Sequence, residues 1–177
     1  MRGIRKLAKW GPTEFGAKLL LTDKPLDTAR DQLRMLMLKR HGDAETRSDD
    51  DPNLAGAWTL PGGHLDPGDD DMAALRRELK EELGLRLRKG RTFARIGQTT
   101  IPAREAFPQA YVNTYYAGSL ADFANRPKNM EPHKFQSLDW VGLDDYFAEQ
   151  NKANRLRPVD NAVEMFDRHV KKRPTRK

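Results

Sequence analysis

A pair of glycines followed by an acid-bearing helix constrains this chain more than any other feature. Leu54 to Leu60 alternates like a strand and runs into Pro61-Gly62-Gly63, where two glycines permit positive φ and close backbone approach. Asp69, Asp70 and Asp71 then offer side-chain oxygens to the free amides of a helix start, and their charge complements the positive end of its dipole. Met72, Leu75, Leu79 and Leu83 recur at three- and four-residue intervals, which predicts a buried stripe, and Gly84 ends the helix. Elsewhere on its surface Glu78, Glu81 and Glu82 stand at i, i+3 and i+4 and share one face. Like charges so spaced cost a helix about 0.2 to 0.5 kcal/mol per pair. Either a bound cation offsets that repulsion, or the face is merely solvated, with Arg77 pairing to Glu81; the three acids alone leave both open.

The chain has no cysteine, which removes disulfides, thiolate zinc sites and cysteine nucleophiles together. Any metal site must then use oxygen or imidazole ligands, and carboxylate ligation suits magnesium or manganese. Such an ion would neutralise phosphate charge, orient an anhydride and lower the pKa of an attacking water, while a neighbouring carboxylate takes the proton.

The length, 177 residues, fits a single domain over 1–177 with one core. Strands are expected at Phe15 to Leu21 and Leu33 to Leu38, joined by a loop with a helical turn, and later at Arg91 to Thr99, Ala110 to Ala117 and Phe135 to Val141. Helical patterns follow near Asp144 to Asn151 and Val159 to Val170. The polar, acidic segment after Lys39 reads as a surface loop near the glycines in sequence. This mixture predicts an α/β protein, a mixed β-sheet sandwiched between α-helices.

Lys and Arg number 32 against 26 Asp and Glu, and the resulting charge of +6 favours anionic partners. Much of the excess sits at the end of the chain, in the basic tail 171–177; without interleaved aromatics it reads as a solvated terminus before an RNA-binding patch. No run approaches the roughly 18 apolar residues of a membrane span. The expectation is a cytoplasmic protein with no membrane partner; the basic start, with Arg2, Arg5, Lys6 and Lys9, is the weak sign of a transit peptide against it.

The whole segment from Gly63 to Leu85, with Arg77-Glu78, Glu81-Glu82 and Gly84 at their spacing, resembles the Nudix box. It departs at Asp69, where the family usually has Glu, a change that shortens a brace between loop and helix. The resemblance implies a Nudix fold and a Mg2+-dependent hydrolase, Mn2+ being a possible substitute, that cuts a phosphoanhydride bond. It further implies Glu78, Glu81, Glu82 and the Gly62 carbonyl as metal ligands, Arg77 as the group holding a glutamate, and Glu78 as the base, so that Arg77, Glu78 and Glu81 form the catalytic set.

Arg126 to Lys134 is similar to a segment of MutT-like purine nucleotide hydrolases that reads close to "PKNMEPEK". That makes Glu131 a candidate downstream ligand or substrate contact, with His133 where the pattern has a second acid. Trp58 and Gly63 are the other expected substrate contacts, while His64 and His133 read as surface histidines and Phe107, Tyr111, Tyr115, Tyr116, Phe135 and Trp140 mostly as core. Asn113 could read a base edge or serve the backbone.

The expected reaction is cleavage of a nucleoside triphosphate, including modified purines, to monophosphate and pyrophosphate. ADP-ribose or dinucleoside polyphosphate hydrolysis is the alternative, with Pro102 near a proline often seen in ADP-ribose cleavers; hydrolysis of an RNA 5' cap or triphosphate comes third. A nucleotide-binding module without turnover is the non-enzymatic alternative, and a homodimer is compatible with all of these.

Overall fold

The computed structural model describes residues 13–42, 55–103 and 109–171. The acidic segment of residues 43–54, Phe107 and tail residues 172–177 therefore lie outside the described part. Among the described residues six strands form one mixed sheet. β1 (Glu14–Thr22) runs parallel to β5 (Tyr111–Ser119) along its whole length, and β4 (Ala94–Ile101) is antiparallel to the other edge of β5. β2 (Arg34–Arg40) is antiparallel to β6 (Phe135–Gly142), meets β1 at Met35 opposite Thr22, and takes β3 (Trp58–Thr59) beside Leu38 and Lys39.

Alternation along β1 sorts the core into two layers. Ala17, Leu19 and Leu21 point to one face, where Leu75, Leu79 and Leu83 of α1 (Asp71–Leu83) cover them. Leu20 points to the other, against Val163 and Phe166 of α3 (Arg157–Lys171) and the short helix α2 (Leu143–Phe147). Each fully buried Leu or Phe contributes roughly 1.5 to 3 kcal/mol relative to an exposed one. The expected sandwich is thus observed.

Two elements differ from expectation. The stretch 144–151 does not make one helix: α2 ends at Phe147, Ala148 is extended, and Glu149–Asn154 forms a 3-10 turn. Asn151 stabilises this break by donating its side-chain amide to the Asp145 carbonyl at 2.7 Å. β3 is shorter than Leu54 to Leu60 because Ala55 and Gly56 form a turn before it, with Gly56 in the left-handed region, and because the chain leaves β2 after Thr59 and joins β1 instead. Leu19 N–H donates to Pro61 O at 2.9 Å, Ala17 N–H to Gly63 O at 3.0 Å, and Leu65 N–H to Phe15 O at 2.8 Å. The glycine segment is therefore an extension of the sheet. No helix among the described residues is long and apolar enough to cross a membrane.

Candidate active site

Pairing with β1 brings the loop backbone so close that Gly62 is obligatory, and Gly63 leaves room for an acid. A Cβ on Gly62, whose φ is +117°, would stand 2.2 Å from the Ala17 carbonyl oxygen, and one on Gly63 would stand 2.3 Å from the Glu78 carboxylate. The space a side chain would fill at Gly63 holds that carboxylate instead.

α1 delivers the acids. Of the three aspartates before it, Asp70 is the cap, accepting Ala73 N–H at 2.7 Å, while Asp71 accepts the Tyr116 hydroxyl at 2.6 Å. Burial and that carboxylate together push the Tyr116 phenol up to about 12. Gly84 closes the helix in the left-handed region, and Asn125 donates to its carbonyl.

Glu82 turns inward. It is buried, and its Oε2 accepts Gly62 N–H at 2.8 Å, which ties helix to loop. Burial pushes its carboxyl up to about 7, with the nearby Lys18 ammonium and the Gly62 amide opposing that shift and Glu78 and Glu131 adding to it. Lys18, on β1, donates its ammonium to the Gly62 carbonyl.

Arg77 joins the loop to the acids. One terminal nitrogen donates to Glu78 at 2.8 Å and lies 3.9 Å from Glu81; the other donates to the His64 carbonyl at 2.9 Å and reaches Asp66 at 3.2 Å and Asp69 at 3.3 Å. Asp69 therefore still braces the loop despite its shorter side chain. Glu81 lies outward, with its side chain 57% exposed.

The downstream segment reaches the same place through the backbone. Lys128 N–H donates to Leu83 O and Met130 N–H to Glu82 O, both at 3.0 Å, which sets the next residue, Glu131, close enough to act on Glu82 electrostatically. Asn129 fixes the turn by accepting Glu131 N–H and donating to the Phe135 carbonyl. Glu131 itself pairs with Lys134 at 2.8 Å, and His133 is exposed.

Trp58 is a core residue. Its ring is buried and lies 6.0 Å from Tyr146, its indole N–H donates to Asp139 at 2.8 Å, and the Lys39 ammonium stands 5.5 Å over it. Asn113 lies on the β1–β5 surface beside Gly16 and the Gly63 carbonyl. Sequence reasoning missed Lys18 and Lys39, and no sequence signal singles out either lysine, since each becomes notable only through the register of its strand.

The donors are carboxylate and carbonyl oxygens, a set that fits a hard divalent ion. Among the described residues no three acids or histidines converge closely enough to hold one as they stand. Glu82 and the Gly62 carbonyl are together, Glu78 is at Gly63 under Arg77, and Glu81 is apart.

A model of the NUDIX domain matches residues 26–162. A Mycobacterium tuberculosis protein named provisionally as 8-oxo-dGTP diphosphatase 2 is 48% identical over 59 aligned positions, which cover 29% of this chain and 42% of that relative, less than half its length. The crystal structure of a MutT NUDIX hydrolase from Burkholderia pseudomallei superposes with a TM-score of 0.62 at 25% identity, covering 88% of this chain and 98% of the other. That of a C. elegans Ap4A hydrolase gives 0.58 at 19% identity over 90% and 98%, a likeness of fold.

Proposed function

The chain belongs to the Nudix hydrolase family, and on that premise we propose that it hydrolyses nucleoside triphosphates, modified purine nucleotides included, to the monophosphate and pyrophosphate with the aid of Mg2+ or Mn2+. The observation that carries this reading is the joint placement of Glu78 and Glu82 against the Gly62–Gly63 backbone, with Arg77 fastening Glu78 to the loop. The provisional name of the Mycobacterium tuberculosis relative favours the triphosphate substrate.

In this reading Glu82, Glu78 and the Gly62 carbonyl hold the ion, and Glu81 joins them by a change of rotamer on the exposed edge of α1. When bound, the ion supplies charge neutralisation to the phosphates. Arg77 keeps Glu78 oriented, and Glu78 accepts the proton of the water that attacks phosphorus as the bridging P–O bond breaks and pyrophosphate leaves. Glu131, on the turn fixed by Asn129, stands as a further acid near Glu82. Trp58, with Lys39 and Asp139, belongs to the packed sheet face opposite α1, so it supports the fold in this reading and is not a substrate contact.

The test is product analysis over a panel of nucleoside triphosphates, dinucleoside polyphosphates, ADP-ribose and 5'-triphosphate RNA with Mg2+. Pyrophosphate and monophosphate from the triphosphates are expected, and Glu81→Gln or Glu82→Gln should remove most turnover, on the order of a hundredfold or more, while the fold is kept. A panel without turnover, or unchanged rates in both variants, would refute the proposal.

A further inference from the structure

Lys18 is the discordant residue of β1. Its neighbours Ala17, Leu19, Leu20 and Leu21 are fully buried core residues, whereas Lys18, half-buried, carries an ammonium group into the site. A half-buried cation is tolerated where oxygen partners compensate it. Here the compensation comes from the site: the ammonium donates to the Gly62 carbonyl, and its charge acts on the Glu82 carboxylate, which is itself bonded to the Gly62 amide. The two residues are adjacent in the paired backbone, where a Cβ on Gly62 would come 3.1 Å from the Lys18 Cα. One residue, Gly62, thus has its amide held by a carboxylate and its carbonyl held by an ammonium.

We propose that Lys18 is a resident cation of the active site, which a divalent ion must displace from the Gly62 carbonyl, so that this residue sets how tightly the ion binds. The inference rests on the metal reading above. Two positive charges cannot share one carbonyl oxygen without strong repulsion at low dielectric. The ammonium therefore leaves that oxygen when the ion arrives, and its flexible stem lets it do so.

Mn2+ titrated calorimetrically into the full chain, without nucleotide, tests this. Lys18→Met should bind Mn2+ on the order of tenfold more tightly than the wild type. Lys18→Gln, which keeps a donor for the carbonyl but no charge, should also bind more tightly and serves if the methionine variant does not fold. Lys18→Arg should stay near the wild type. Equal or weaker Mn2+ binding by the neutral variants, with binding still abolished by Glu82→Gln, overturns the role of Lys18 alone. No Mn2+ binding by any of the proteins, wild type included, overturns the metal reading and this inference together.

Discussion

At Glu82 folding opposes the role proposed for this residue. Its carboxyl, lifted by burial from 4.5 to about 7, favours the neutral form in the folded chain. The contribution it makes to stability is therefore fully present below about pH 4.5 and is lost as pH rises to about 7, above which the folded, metal-free protein holds a buried anion at a cost of up to roughly 3 kcal/mol. In EDTA, Glu82→Gln should unfold at higher denaturant than the wild type at pH 8 and at a similar concentration at pH 5; equal midpoints at pH 8 would show that the anion carries no such cost. The position of Glu82 on the acidic face was legible in the sequence, because i, i+3, i+4 spacing is a property of one helix. That it turns inward while Glu81 turns outward was not, since helical periodicity places residues on a face and the close approach of Gly62 decides which side chain is taken in. Lys18 was illegible for the same reason: its partner is 44 residues away.

At the scale of elements, the site is an agreement among three pieces of backbone. β1 accepts the glycine loop along its edge, α1 hangs from that loop through Glu82 and Arg77, and the turn at 128–131 is stitched to the end of α1. Asn129 holds that turn by two hydrogen bonds, to the Glu131 amide and the Phe135 carbonyl. Asn129→Ala should lower stability by about 1 to 3 kcal/mol and reduce turnover by misplacing Glu131, both measurable on purified protein. Wild-type turnover in that variant would remove Glu131 from the site. Most strands and both long helices were readable from alternation and three-to-four periodicity. The errors fell at β3 and at residues 148–154, where chain direction is set by a neighbouring strand in one case and by the Asn151 side chain in the other. Local pattern contains neither.

For the molecule as a whole, the layers separate two tasks: α1 and the glycine loop carry the acids, whereas α2 and α3 close the opposite core around Phe166 and Tyr146. Lys171, the last described residue, belongs to the second layer. Lys171 pairs with Asp167, which also takes Arg30, and exposed pairs of this kind contribute about 0.2 to 1 kcal/mol. Removing residues 171–177 should leave hydrolysis of free nucleotides within about twofold and shift stability by no more than such a pair. A collapse of the small-substrate rate would tie the tail to the site. The pairing of Pro61–Leu65 with β1 has a consequence for variation in this scaffold. Because the loop is in register with a strand, adding one residue between Trp58 and Gly63 would turn the residues of the paired segment Pro61–Leu65 to the opposite face and aim the Gly62 carbonyl at the wrong side. Drift in substrate choice must then come through segments of free length, while this one is held to a fixed count as strictly as a strand in the middle of a barrel.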